Sequence, residues 1–216
     1  MALSRRPKIL KAGLILLDPE TIEIKRIIAM QYNQETLNHA FEIRGASETN
    51  RSEPLRLMGP PVETLTVEAF LDATDQMEFP DEHPDAAARG VQGALSVLEM
   101  LIYPDSEDLL ANRRRASEGR LEILPMEKYL TLFVWGKDRV LPVRVTQFSV
   151  NEEDFTPDLY PIRARVNLTL RILSVDDLGF DHRGGSLYLR YHKTKERFAK
   201  KVQSADLEIL GSISLE

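Results

Sequence analysis

The sequence predicts a mainly β fold with one packed helix, an α+β domain over residues 1–176, followed by a basic C-terminal arm or extension over residues 177–216. Residues 162–172 alternate between apolar and polar side chains, as a strand with one buried face does. Residues 86–103 place apolar side chains on one stripe of a helix. These two patterns, and the change to basic composition near the C-terminus, define the predicted fold class.

The other strands are predicted from alternation and from their content of β-branched and aromatic residues. In chain order they cover residues 12–17, 22–31, 37–44, 64–71, 130–135 and 140–148. A turn at residues 18–20 joins the first two, and residues 136–139 predict a hairpin between the last two. Residues 206–215 are a further candidate strand.

The predicted helix at residues 86–103 has Asp85 as its candidate N-cap and ends before Pro104. A second, short helix is predicted over residues 106–116. The basic residues 186–204 are interpreted as a helix or an extended arm. Connections are predicted at residues 45–54, 72–85 and 176–185.

Composition excludes several kinds of site. The chain has no cysteine, so disulfides, thiolate zinc sites and cysteine nucleophiles are excluded. Its net charge of −6 gives no positive field for a phosphate backbone, and nucleic-acid binding is not expected. The apolar residues 9–17 are too few to span a membrane, and no signal-peptide cleavage site follows them. We therefore expect a cytoplasmic product without direct membrane insertion.

No motif for catalysis, a metal or a cofactor is present in the sequence. The acidic residues 72–85 offer oxygen ligands for calcium but lack the order of an EF-hand, so a solvated connection is favoured. The histidines have no zinc-site spacing. Neither a G-x-S-x-G turn nor a phosphate-binding glycine loop is found. The chain is therefore predicted not to be an enzyme, with no cofactor and no metal site.

Two basic surfaces are the candidate contact sites. One is the polar face of the long strand at 162–172. It either lines a channel or a subunit contact, or is an ordinary solvent-exposed sheet face. The other lies in the C-terminal segment and is interpreted as an arm that docks on an acidic neighbour, in preference to nucleic acid or membrane. The predicted subunit-contact residues are Arg163, Arg165, Arg171, Arg190, Lys193, Lys195 and Arg197.

Three stretches of the chain carry a family resemblance. Residues 29–37 read AMQYNQETL, residues 58–68 read MGPPVETLTVE before LDATD at 71–75, and the predicted helix ends in LEMLIYP at 98–104. In this order they resemble the tube-protein family of contractile injection systems, the phage-tail-like particles of bacteria. The hairpin segments FVWG and LPVRV fit the same pattern, and the resemblance covers about residues 8–175.

The resemblance implies a phage-tail-tube-like β-sandwich or barrel with one helix packed against it, and a hexameric ring of such subunits. It implies a structural role as a baseplate adaptor or tube initiator that joins the spike hub to the inner tube. The implied partners are further copies of the chain, the spike or hub protein, the inner tube protein and other baseplate components. The protein would be assembled into an injection particle, and the family brings no catalytic residues.

One departure from the family leaves alternatives open. Many relatives carry a C-terminal LysM module, whereas the residues after 176 are basic and resemble an arm. The alternatives are a carbohydrate- or peptidoglycan-binding accessory module of the same particle, a tube terminator, or a hydrolase with its carboxylates at residues 72–85. Trp135, the single tryptophan, lies inside a strand motif, which counts against a sugar-binding groove.

Overall fold

The computed structural model describes residues 10–18, 21, 23–44, 57–117 and 129–202. These residues form one antiparallel sheet and several helices. The strands are β1 (Gly13–Leu17), β2 (Ile24–Ala29), β3 (Asn38–Glu42), β4 (Val62–Asp72), β5 (Leu130–Val134), β6 (Val140–Phe155) and β7 (Pro161–Ile172). The helices are α1 (Thr74–Met77), α2 (Pro84–Arg89), α3 (Gln92–Glu99), α4 (Ser106–Ser117), α5 (Val175–Leu178) and α6 (Arg183–Ala199). The strand order is β2-β1-β5-β6-β7-β4-β3.

The predicted strands within the described residues are confirmed, and their alternation matches burial. Side chains at alternate positions of β7 are 0% exposed, namely Ala164, Val166, Leu168 and Leu170. The predicted hairpin joins β5 to β6, with the amide of Trp135 2.8 Å from the carbonyl oxygen of Arg139. β6 is longer than predicted and continues to Phe155. The candidate strand at 206–215 and the connection at 45–54 lie outside the described residues.

The prediction of one packed helix is wrong, because both α3 and α6 pack on the sheet. The predicted helix at 86–103 is also divided, at Gly90, into α2 and α3. Gly90 has φ +55°, and a side chain there would collide with the carbonyl of Pro161. The same carbonyl accepts a 2.9 Å hydrogen bond from the amide of Val91, which ties the break to β7. Asp85 lies in the first turn of α2 and does not cap it, since His83 occupies the N-cap position.

The remaining helices correct the predicted connections. The predicted short helix at 106–116 is confirmed as α4, whereas α1 and α5 lie in segments that were predicted as loops. The basic C-terminal segment is the helix α6. Its Tyr188 and Tyr191 are buried in the same apolar cluster as the sheet, although the division of the chain at residue 176 stays a prediction.

The sheet is strongly curled. Leu14 of β1, Ala69 of β4 and Leu98 of α3 line one cavity of about 230 Å³. In a flat sheet β1 and β4 would lie about 19 Å apart, because three strands separate them. The α+β class is thus confirmed as a single curved sheet whose inner face packs on α3 and α6.

Candidate subunit interface

Arg163 lies at one end of the polar face of β7 and is held by two carboxylates. Its Nε is 3.1 Å from Oδ2 of Asp72, and its Nη1 is 3.0 Å from Oδ2 of Asp154. Burial raises the pKa of Asp72, but the hydrogen bonds from Thr74 and the charge of Arg163 together lower it more, to below its usual value. This predicted contact residue therefore has acidic partners within its own chain.

The other two arginines of β7 are also paired within the chain. Arg165 Nε lies 3.2 Å from Oε1 of Glu153, and its guanidinium is 5.7 Å from the ring centroid of Phe70. Arg171 Nη2 lies 2.6 Å from Oδ1 of Asp177. The predicted basic row is therefore largely neutralised, and its role in a subunit contact stays a prediction.

Between these paired charges the outer face of β4, β7 and β6 is polar and mostly uncharged. Cross-strand neighbours on this face, called the polar face below, are Thr66, Thr169 and Gln147 in one row and Glu68, Asn167 and Ser149 in the next. Thr169 Oγ1 donates a 3.2 Å hydrogen bond to Oε1 of Gln147. Such a face stays wet and offers no nucleophile paired with a base.

Lys195 of α6 belongs to a partly buried polar cluster, called the Glu63 clasp, which consists of Glu63, His39, Tyr191 and Lys195. The Glu63 side chain is 4% exposed, and its Oε2 lies 3.1 Å from Nζ of Lys195. Its Oε1 accepts a 3.1 Å hydrogen bond from the hydroxyl of Tyr191 and lies 3.1 Å from Nδ1 of His39. The clasp joins β3, β4 and α6.

The electrostatics of the clasp favour the protonated forms of the Tyr191 phenol and the Lys195 amine. Burial raises the pKa of the Tyr191 phenol above its usual value, against the opposing hydrogen bond of Lys195. Burial lowers the pKa of Lys195, but its hydrogen bond with Tyr191 and the charge of Glu63 together raise it more. A neutral phenol and an ammonium group therefore face the carboxylate at neutral pH.

The other predicted contact residues of α6 face solvent. Arg190 and Lys193 are exposed and form no ion pair with any described residue. Arg197 Nη2 lies 3.4 Å from Oδ1 of Asp138, and both side chains are more than half exposed. One side of α6 thus packs against the sheet, and the other side exposes basic groups. That these groups contact another subunit stays a prediction.

The segment that carries the family resemblance, residues 30–37, connects β2 to β3 and is fixed by side-chain amides. Gln31 Nε2 donates to the carbonyl of Asp72 at 2.8 Å, and its Oε1 accepts from the amide of Asp72 at 2.9 Å. Asn33 Oδ1 accepts from the amide of Ala12 at 2.9 Å. Gln31 therefore links the end of β2 to the end of β4, and Asn33 links the same connection to the residue that precedes β1.

Sequence reasoning missed Glu63, although a signal was present. Extending the alternation of β4 back from Leu65 places Glu63 on the buried face. A buried carboxylate requires partners, so this position alone predicts a polar cluster. Trp135 is stacked on Phe133 at a centroid distance of 5.9 Å and packs against the core.

The histidines have separate local roles. His182 Nδ1 accepts a 3.0 Å hydrogen bond from the amide of Gly184 at the start of α6, and His192 lies 3.4 Å from Glu196. Within the described ranges, no group of three histidine or acidic side chains is placed to hold a metal ion. None of the described helices has the length and apolarity to cross a membrane.

No protein-family model matches this chain, and no significant match to it is found among curated proteins. The family resemblance therefore rests on the motifs quoted above.

Proposed function

We propose that the chain is a structural ring subunit of a contractile injection system. In this proposal it is a baseplate adaptor or tube initiator that joins the spike hub to a hexameric inner tube. Its curled sheet would be of the phage-tail-tube type, a β-sandwich or barrel-like arrangement. No catalytic group takes part, and the partners are further copies of the chain, the hub and the tube protein.

The observation that carries the proposal is the polar face of β4, β7 and β6. The wall of a tube must remain hydrated and must not bind what passes through it. Hydroxyl and amide side chains meet both needs, and the arginines at the ends of the face are already paired with acids. A face whose central rows carry hydroxyl, amide and carboxylate side chains suits a lumen better than an apolar docking site.

The fixed connection at residues 30–37 gives further support. Gln31 ties the end of β2 to backbone groups of Asp72 at the end of β4, and Asn33 ties the same connection to the amide of Ala12 just before β1. A subunit that transmits load between a spike and a tube benefits from side-chain hydrogen bonds that cross between strands distant in the sheet order. The motif that suggests the family thus has a structural purpose consistent with the proposed role.

The mass in solution tests the proposal directly. Light scattering on a sizing column, with and without the spike protein, is expected to show an assembly of six times the 24.6 kDa chain. A chain that stays monomeric alone, with the spike protein and with the tube protein would overturn the proposal.

A labelling experiment tests the lumen itself. The chain has no cysteine, so Asn167→Cys on the polar face and Glu107→Cys on the exposed helix α4 introduce single thiols. A maleimide attached to a polymer too large for the channel should modify both variants in the unassembled chain. After assembly, Glu107→Cys should still react while Asn167→Cys is protected. Equal reactivity of both positions in the ring would exclude the polar face as the lumen wall.

A further inference from the structure

The tip of the hairpin between β6 and β7 displays apolar side chains in water. Leu159 is 78% exposed, Phe155 is 50% exposed and Tyr160 is 36% exposed. The turn is nevertheless well fixed, because Thr156 donates to the carbonyl of Tyr160 at 2.8 Å and Leu159 donates to the carbonyl of Thr156 at 2.9 Å. These residues, 155–160, are called the apolar tip.

The backbone of the apolar tip is strained as well as ordered. Leu159 has φ +64°, in the left-handed region that a leucine side chain disfavours. Hydrogen bonds hold this conformation, but among the described residues nothing covers the Leu159 side chain, which stays 78% exposed. Ordered strain of this kind concentrates at functional sites, where a partner benefits from a prearranged group.

A second surface of the same chain offers an apolar cavity. The cavity of about 230 Å³ between β2 and α3 is lined mainly by apolar side chains, among them Ile27, Met30, Ala69, Ala94, Val97 and Leu98. Its mouth is open on the α3 side, since the lining residue Ala94 is exposed. An apolar cavity of roughly 150 Å³ can admit a benzene-sized group, so this one has room for a leucine or phenylalanine side chain.

The charges beside the two surfaces are complementary. Asp158 lies within the apolar tip, and Arg26 directly precedes Ile27, one of the residues that line the cavity. Both are exposed, and neither forms an ion pair with a residue in the described part of the chain. Opposite charges at the rim of an apolar contact favour correct orientation and suppress wrong partners.

We propose that the apolar tip inserts into the β2–α3 cavity of a second copy of this chain. The tip does not fill its own cavity, since Leu159 is mostly exposed. A contact between two different surfaces is heterologous, so repetition from copy to copy gives a closed ring or an open filament. This inference rests on the proposed ring function and names the contact that would build the ring.

Cysteine cross-linking between two variants tests the contact. Leu159→Cys and Ala94→Cys chains are mixed and oxidised, with Leu110→Cys in place of Leu159→Cys as a control from another exposed leucine. The proposed contact should raise the yield of the Leu159→Cys/Ala94→Cys heterodimer about tenfold over the control, because docking raises the effective concentration of the two thiols. A yield equal to that of the control overturns the proposal.

The two cysteines in one chain extend the test to the whole assembly. Oxidation of the Leu159→Cys/Ala94→Cys double variant should give a ladder of covalent oligomers that ends in a closed species, whose mass counts the subunits. Cross-linked chains without a closed hexamer would support the contact and contradict the proposed function. A hexamer without cross-links would support the proposed function and overturn the contact.

Noncovalent variants give an independent readout. Leu159→Ser removes the tip, and Ala94→Phe fills the cavity mouth from an exposed position. Each variant alone should lose assembly, whereas an equimolar mixture should form a one-to-one pair, because a single productive contact remains. Assembly that neither variant reduces would contradict the proposal.

Discussion

The helices α4 and α6 both end in basic residues, yet only α6 is packed against the sheet. α4 has acidic groups in its first turn, Arg114 and Arg115 in its last turn, and no buried residue. α6 has Arg197 in its last turn but buries Tyr188 and Tyr191. Basic composition therefore did not distinguish a docked helix from an exposed one.

Two features of α6 account for the difference. Tyr188 and Tyr191 lie three positions apart and fall on one face of the helix, where both join the core. At the start of α6, Gly185 approaches the carbonyl of Gly179 so closely that any side chain would collide with it. α4 instead leaves Leu109 and Leu110 more than half exposed. Large aromatic groups and close backbone approach, more than charge, decide which helix packs.

The strongest test of this comparison removes an aromatic anchor. Tyr188→Ala is expected to lower the free energy of unfolding by about 3 kcal/mol, because it leaves a cavity between α6 and the sheet. Leu110→Ala on α4 is the matched control and should change it by less than about 0.5 kcal/mol. Urea unfolding followed by circular dichroism measures both. Equal effects would mean that α6 is no better packed than α4.

The Glu63 clasp should contribute the next largest effect. Glu63→Ala leaves the Tyr191 hydroxyl and the Lys195 ammonium without their shared acceptor, at an expected cost of about 2 kcal/mol. Glu196→Ala, which removes an exposed carboxylate from α6, should cost much less. The same urea titration compares the free energies of unfolding of the two variants. If Glu63→Ala left the free energy of unfolding unchanged, the clasp would not hold the helix.

Alkaline pH should loosen α6 selectively. Because the pKa values of Tyr191 and Lys195 are both raised by folding, their contribution is fully present below the usual values of 10.0 and 10.5. It is lost as the pH rises through the folded values. The urea midpoint should therefore fall above about pH 10. Tyr191→Phe should flatten this fall, and an unchanged pH profile in that variant would contradict the assignment.

The Asp72–Arg163 ion pair lies at the end of the polar face and is partly buried, so a smaller contribution to stability is expected from it. Asp72→Asn should cost about 1 kcal/mol at neutral pH, since the Arg163 side chain remains 41% exposed. Because the folded pKa of Asp72 is lowered, this contribution is present above its usual value and is lost as the pH falls through the folded value. Glu78→Gln, from the same acidic segment, is the matched control for the loss of one carboxylate and should change the free energy of unfolding by less than about 0.5 kcal/mol at neutral pH. Urea unfolding at neutral and acid pH measures the Asp72→Asn effect, and an equal cost at both pH values would contradict it.

Alternation predicted the strands because burial on one face requires a period of two. It could not predict the break at Gly90, since the apolar stripe continues through it and the cause is a carbonyl of Pro161, about 70 positions away in the sequence. The short helices α1 and α5 were missed for a related reason. Segments of four residues are too short to show a helical period.

The candidate site was predictable in position but not in electrostatics. Alternation placed Arg163, Arg165 and Arg171 on one strand face, as the structure has them. Their acidic partners come from β4, β6 and α5, and cross-strand pairing depends on a register that one sequence does not contain. The ion pair of Lys195 was equally unpredictable, because its partner Glu63 is distant in the sequence.

The strand order has a consequence for synthesis on the ribosome. β1 pairs with β2 and β3 with β4, but these two hairpins join the sheet only through β5 and β7. At 5–20 residues per second, roughly ten seconds separate the synthesis of β4 from that of β7. During this interval the apolar faces of the two N-terminal hairpins lack the remaining strands of the curled sheet and stay exposed to water. Nascent chains of this protein should therefore depend on chaperones until β7 has emerged.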